Sequence, residues 1–395
     1  MNEEELAQPS ADGPKTTAYS QQRIAGLDTL RSLAIVSVVC YHAFVFHGLG
    51  AMPAWLEAVF MQGWMGVDLF FVLSGFLIGT QFLRPYLAGQ RPSLWHFYRD
   101  RIFRILPAYF AVLALYLFVP LWREFPQMAP AWTFLTMCEN IVPEKAMTGS
   151  FSHAWSLCVE MHFYLCFPIV VLLAMRKPSL RKVVLPIAAL LVFGMSIRAF
   201  FLFHSVLPLL RSHQSYGLAY MAYIYYPTYS HFEGLVAGVV LALLLSFRPR
   251  VWNELTRRGT RCLLAGVALV GISAWLYTDR WTPATAGAAA GVIIGPLTLS
   301  LGLGLLVLAS LAHTGVATWL KIPGTRAVAV LAYTLYLTHK ELLHLVDRAF
   351  PALFLWNRFA WMAAYALCCT ACSTALYWSV ERPFLRLRSR FRRAA

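Results

Sequence analysis

Charge is what this chain has least of. Only 13% of its 395 residues are Asp, Glu, Lys or Arg, against 59% hydrophobic residues, and the mean hydropathy is +0.60. A soluble globular domain, whose composition runs to about a quarter charged residues, is excluded. A cleavable leader is missing too. Residues 1–26 are polar, with Glu3, Glu4, Glu5 and Asp12, and lack the basic start and small-residue cleavage site of a signal peptide. They read as a disordered cytosolic tail. No internal repeat is visible and no soluble domain is appended. Metal-ligand spacing is absent as well: the eight cysteines fall mostly in apolar runs, and the one Cys-x-x-Cys, Cys369 to Cys372, has no second pair or nearby histidine. These cysteines read as small residues packing a helix. No resident metal and no bound cofactor is expected.

What the chain has in abundance is apolar runs of membrane-crossing length. Ten spans are predicted, at about 27–47, 64–83, 104–122, 156–175, 182–203, 229–247, 261–278, 287–312, 326–345 and 356–379. The fold class is therefore an all-α polytopic membrane protein of about ten transmembrane helices, with a membrane domain over 27–384 and a basic cytosolic tail over 385–395. Of the 33 Lys and Arg residues, 24 fall on the side of the N-terminus, six on the other side, and only Arg31, Arg198 and Lys340 within spans. By the positive-inside rule both termini are expected in the cytosol. The net charge of +15 is then a topology signal plus attraction to anionic lipid, and nucleic acid is not needed as a partner.

Polar residues inside the spans carry the chemistry. Arg31 and His42 lie in one apolar stretch, eleven residues apart, which puts them on one helical face about 16 Å apart along the axis. A guanidinium in a span costs on the order of 2.5 to 3.5 kcal/mol. An anion drawn in from one side would offset that cost. His42 lies in the outer half of span one, Glu160 near the outer start of span four, Glu233 at the start of span six, and His339 with Tyr336 at similar depth on span nine. Four ionisable side chains, His42, Glu160, Glu233 and His339, are expected to converge on one layer. His153, Ser156 and Glu160, spaced i, i+3, i+7, share a face if their helix starts early enough. On the inner side Arg99, Arg101 and Arg104 crowd the start of span three. Arginine forks suit phosphates; Asp100 neutralises Arg99, leaving Arg101 and Arg104 for a ligand. The connections 123–155 and 204–228, rich in Trp, Tyr, Pro and His, either shape a substrate entrance or form an interfacial aromatic belt, with Trp132 and Tyr223 as candidate sugar contacts.

Six successive segments, GLDTLRSLAIVSVVCYHAF (26–44), GVDLFFVLSGFLIG (66–79), RIFRILPAYF (101–110), SHAWSLCVEMHFYL (152–165), YTLYLTHK (333–340) and ERPF (381–384), resemble in order and spacing the motifs of the acyltransferase-3 family of integral membrane acyltransferases. The resemblance implies a ten-helix transferase of the inner cell membrane, bacterial in type. It would move an acyl group, most often acetyl, from cytosolic acyl-CoA as co-substrate to a hydroxyl of a carbohydrate or other exported or lipid-linked acceptor. It carries the catalytic histidine onto His42, the acid onto Glu160, a companion arginine onto Arg31, and the cytosolic arginine motif onto Arg101 and Arg104. Asp28, Asp68, Ser74, Ser152, His153, Trp155, Glu233, Tyr336 and His339 complete the set as supporting candidates. Two departures stand out. His231 replaces the arginine that many members place two residues before Glu233, and the chain ends soon after ERPF, where some members continue into a hydrolase-like domain.

The chemistry agrees with that assignment. A thioester is already activated, so the tasks left are to deprotonate an alcohol, orient it and stabilise an oxyanion. Imidazole suits the first task, and Glu160 could fix its tautomer. With CoA phosphates held low by Arg101, Arg104 and Arg31, the pantetheine arm would lift the thioester toward His42. Ser74, Gly75 and Gly79 either clear a path for that arm or are ordinary small-residue helix packing. A multi-span transporter or flippase of envelope polysaccharide precursors is the rival reading, since buried charges also mark ion pathways. The marked residues cluster in spans one to four and no inverted halves are visible, which favours the enzyme.

Overall fold

In hydrocarbon each unpaired backbone amide costs several kcal/mol, so apolar runs this long close their hydrogen bonds internally as helices. The computed structural model describes residues 25–47, 53–141, 149–176, 179–277, 285–313 and 315–393; the expectations for residues 1–24 lie outside them. Ten long helices follow in order: α1 (Ala25–His47), α2 (Met65–Leu87), α3 (Leu94–Phe118), α4 (Trp155–Ala174), α5 (Leu180–Phe201), α6 (Phe232–Phe247), α7 (Gly259–Leu276), α8 (Ala286–Ser310), α9 (Thr325–Ala349) and α10 (Arg358–Leu376). Each coincides with one expected span. Among the described residues no strand forms, only a bridge between Met128 and Ser150.

Eight of the described helices are long and apolar enough to cross a membrane, or nine if α6 and the helix Pro249–Arg257, bent 113° from it, make one span. α9 is long enough, at 25 residues, but carries His339, Lys340 and Glu341 within it. α3 departs most from its expected start. It begins at Leu94, because Ser93 caps it and accepts from the His96 amide at 3.3 Å. Arg99, Arg101 and Arg104 thus all stand on one helix. At the other end the expected basic tail continues as a helix, α11 (Arg382–Arg393).

α1 packs between α2 and α9, α9 against α10, and α2 lies along α6. Glycines set that last spacing. A Cβ on Gly75 would fall 2.1 Å from the Leu235 carbonyl oxygen, and one on Gly238 2.2 Å from that of Val72. Gly79 likewise faces Ala242. Of the two readings of Gly75 and Gly79, helix packing is the one these contacts favour.

The loops before α4 are stitched together locally. The Ser150 hydroxyl accepts from the Phe125 amide at 2.9 Å and donates to its carbonyl at 2.8 Å. Phe151, with φ 65°, then turns the chain into a short turn, Ser152–Ala154. Glu124 and His153 are thereby brought side by side at the end of the bundle where α9 carries Lys340 and Glu341.

Candidate active site

Two cavities meet inside the bundle. The first, of about 180 Å³, is lined from α1, α2, α3, α4 and α9 by Arg31, Ser74, Arg101, Arg104, Glu160 and Tyr164, with Tyr333 and Tyr336. Every expected donor-binding arginine reaches this arginine cavity. Its charges are held in place: Arg101 donates to Gln81 and lies over the Phe97 ring, Arg104 pairs with Glu381, and Arg31 stands 3.8 Å from Asp28. Arg99 instead lies beside Asp100 at 3.6 Å and lines a different cleft, as its neutralisation by that neighbour suggests. Glu160 accepts from Ser74 at 2.6 Å and from Tyr164 at 2.8 Å, one hydroxyl on each oxygen.

The second cavity, also about 180 Å³, is lined by Tyr41, His42, Trp64, Ser152, His153, Trp155, Tyr225 and Tyr226, with Lys340. Within it His42 Nδ1 lies 2.9 Å from the Val38 carbonyl oxygen and 3.1 Å from His339 Nε2. His339 Nδ1 in turn lies 2.9 Å from the Tyr336 carbonyl oxygen. Carbonyl oxygens only accept, so each Nδ1 carries the hydrogen in the neutral ring and donates it. Each Nε2 therefore keeps its lone pair. The one hydrogen on His42 Nδ1 is shared between the Val38 carbonyl oxygen and the His339 Nε2 lone pair, and the lone pair on His42 Nε2 is left over.

Val67 and Tyr336 line both cavities. The Tyr336 hydroxyl donates to the His153 carbonyl at 2.9 Å and shares a hydrogen with Ser156 at 2.5 Å. Ser156 faces the arginine cavity and His153 the histidine cavity, so the stripe His153, Ser156, Glu160 runs from one chamber into the other.

The expected single layer of four ionisable groups divides. His42 and His339 touch, with ring centroids 4.8 Å apart. Glu160 belongs to the other cavity. The task of fixing the His42 tautomer, expected of Glu160, falls to the Val38 carbonyl, because one helical turn brings that oxygen within reach of Nδ1. Glu233 lines neither cavity: it pairs with Arg198 at 2.5 Å, both side chains buried, and Arg198 also donates to the carbonyls of Ser230 and Ile293. This pair ties α5, α6 and α8. The arginine absent at 231 is thus supplied from α5, while His231 donates to the Tyr225 carbonyl and lies against Trp155, ring centroids 4.6 Å apart. Of the other supporting candidates, Asp28 holds Arg31 and Ser152 accepts from Lys340 at 2.8 Å. Asp68 sits within electrostatic range of Tyr277 and lines neither cavity. Trp132 and Tyr223 are also outside both; Trp132 is 55% exposed and Tyr223 stacks on Phe201. The rings that do line the second cavity include Trp155, Tyr225 and Tyr226.

Tyr164, Tyr333 and Glu381 have no role in the sequence reading, and Lys340 enters it only as a basic residue within a span. Tyr164, Tyr333 and Lys340 fall inside segments already singled out, and Tyr164 is one turn from Glu160. Glu381 opens the ERPF segment. α10 widens there into a π-helical turn, Tyr377–Glu381, a device that re-aims side chains, and the turn delivers Glu381, 1% exposed, to Arg104.

Comparison with known proteins accords with this geometry. O-acetyltransferase OatA of Staphylococcus aureus NCTC 8325 is 29% identical over 194 residues, covering 45% of this chain and 30% of the relative. Peptidoglycan O-acetyltransferase OatA of Listeria monocytogenes is 26% identical over 187 residues, covering 44% and 28%. The chain therefore spans less than a third of these relatives' length. No solved structure matches it. The acyltransferase domain model of the acyltransferase-3 family matches residues 24–378, which takes in both cavities and all ten long helices up to the π-helical turn: the chain belongs to the acyltransferase-3 family.

Proposed function

We propose that the chain is a membrane O-acyltransferase that binds acyl-CoA, with acetyl as the acyl group, in the arginine cavity and a carbohydrate hydroxyl in the histidine cavity. Its N- and C-termini face the cytosol, so the donor enters from the cytosol and the acceptor is met on the opposite side. His42 Nε2 takes the proton of the acceptor hydroxyl as that oxygen attacks the thioester carbonyl. The carbon–sulfur bond then breaks, and the imidazolium returns the proton to the CoA thiolate. The ester and free CoA leave.

The observation that carries this reading is the wall of Val67 and Tyr336 common to two chambers of unlike chemistry. Arginines on one side suit the phosphates of an anionic donor. Neutral imidazole and aromatic rings on the other suit an uncharged sugar. The relatives' names, O-acetyltransferase and peptidoglycan O-acetyltransferase, make acetyl the leading acyl group and a cell-wall glycan the leading acceptor. The test is steady-state transfer from labelled acetyl-CoA in proteoliposomes. Arg104→Ala should raise KM for the donor alone and Trp155→Ala KM for the acceptor alone. A protein that binds acetyl-CoA without ever consuming the thioester would remove the transferase reading and leave the transporter.

A further inference from the structure

Beside the histidine cavity lies a buried polar cluster that the transfer reaction does not use. It joins Glu124 from the loop after α3, His153 from the turn before α4, and Glu341 from α9. One ligand-competent atom of each lies within 4.8 Å of the other two. All three side chains are at least nine-tenths buried, at 4% exposure for Glu124, 3% for His153 and 0% for Glu341. Hydrogen bonding does not account for them. Both Glu341 oxygens, Glu124 Oε2 and His153 Nδ1 have no hydrogen-bond partner. His153 Nε2 faces Glu341 Oε1 at 3.8 Å, and its contact with the Leu337 carbonyl is long, at 3.4 Å. Polar groups this deep are ordinarily satisfied.

Lys340 reaches Glu124 Oε1 at 3.3 Å. A cation seated among Glu124 Oε2, His153 and Glu341 would supply the partner that those atoms lack. Lys340 does not compete for that place, since it occupies one Glu124 oxygen and the Ser152 hydroxyl and leaves Oε2 toward the cluster. Such an outer partner orients a metal-binding carboxylate.

We propose that Glu124, His153 and Glu341 form a binding site for one divalent transition-metal ion. One imidazole and two carboxylates are a donor set that zinc accepts, with a fourth position left open. The three donor atoms lie within 4.8 Å of one another, against an edge of roughly 3.3 Å for a tetrahedron with bonds of about 2.0 Å. An ion there would clamp α9 to the two loops before α4 and steady the stretch of α9 that carries His339, two residues before Glu341, against His42. The chain reading above, with no metal spacing among its cysteines, gives no hint of this, because the three ligands come from separate segments.

The test reads metal directly and does not depend on transfer activity. Full-length protein purified in detergent without chelators should carry about one zinc-class ion per chain by elemental mass spectrometry. Protein stripped with EDTA should regain the ion, and thermal stability, on addition of Zn²⁺. Glu341→Gln and His153→Ala should each lower retention at least tenfold and abolish the Zn²⁺-dependent thermal shift. Wild-type protein that carries no divalent ion, and neither takes up Zn²⁺ nor gains stability from it, would overturn the site without recourse to a variant. Undiminished retention in both variants would overturn it too.

Discussion

The two cavities have the same volume and share a wall, yet differ in almost everything else. The arginine cavity gathers fixed charge: Arg31, Arg101 and Arg104 with one doubly hydrogen-bonded carboxylate, Glu160. The histidine cavity gathers rings, and its His42, like the His339 in contact with it, is tied through Nδ1 to a main-chain carbonyl. Fixed charge is suited to holding an anion through many encounters. A tautomer locked by the backbone is suited to accepting one proton at one place. The contrast separates affinity for a charged substrate from the chemical step, and substitutions on the two sides should separate in the same way.

The largest effect is expected at His42. His42→Ala should lower the transfer rate by about 10² to 10⁴, the usual contribution of a general base, measured with labelled acetyl-CoA and a glycan acceptor in proteoliposomes. Membrane insertion and detergent stability should remain. Next comes Glu160→Gln, which takes away one of the two acceptors facing the Ser74 and Tyr164 hydroxyls and leaves a buried donor unpaired, at about 1 to 3 kcal/mol. Loss of some tens-fold in kcat/KM for the donor, with acceptor KM unchanged, would sharpen the comparison; a change confined to the acceptor would break it. Arg104→Ala should raise donor KM by about tenfold, the scale of one charge-assisted contact, and saturating donor should restore the rate. Glu381→Gln should produce part of that shift, since Glu381 holds Arg104. The smallest effect is expected at Trp132. This exposed ring lines neither cavity, so Trp132→Ala should leave both KM values within about twofold, whereas an acceptor KM that rises as it does in Trp155→Ala would bring Trp132 into the acceptor site.

Much of this was legible in the sequence, for a definite reason. Runs of about 20 apolar residues have one stable form in hydrocarbon, so each expected span coincides with a long helix, eight of them apolar and long enough to cross a membrane on their own. The arginine cavity was legible too, since Arg101 and Arg104 are three apart on one helix and Arg31 sits alone in another. The start of α3 was not. Its first turns, Leu94 to Asp100, are polar and aromatic, and only the Ser93 cap marks them. Depth along a span can be counted from residue numbers, but the azimuth of each helix against its neighbours cannot. His42, Glu160 and Glu233 therefore read as one layer although they face three different surroundings. Arg198, which neutralises Glu233, lies on α5, whose sequence shows only a lone arginine near a span end. Glu381 is aimed at Arg104 by a π-helical turn, which has no reliable sequence signal.

Equilibrium binding of a non-hydrolysable acetyl-CoA thioether to the purified protein tests the division of labour most directly. His42→Ala should bind it with wild-type affinity while transferring nothing, and Arg104→Ala should bind it about tenfold more weakly. Loss of binding in His42→Ala, or undiminished binding in Arg104→Ala, would contradict the assignment of donor and base to separate chambers.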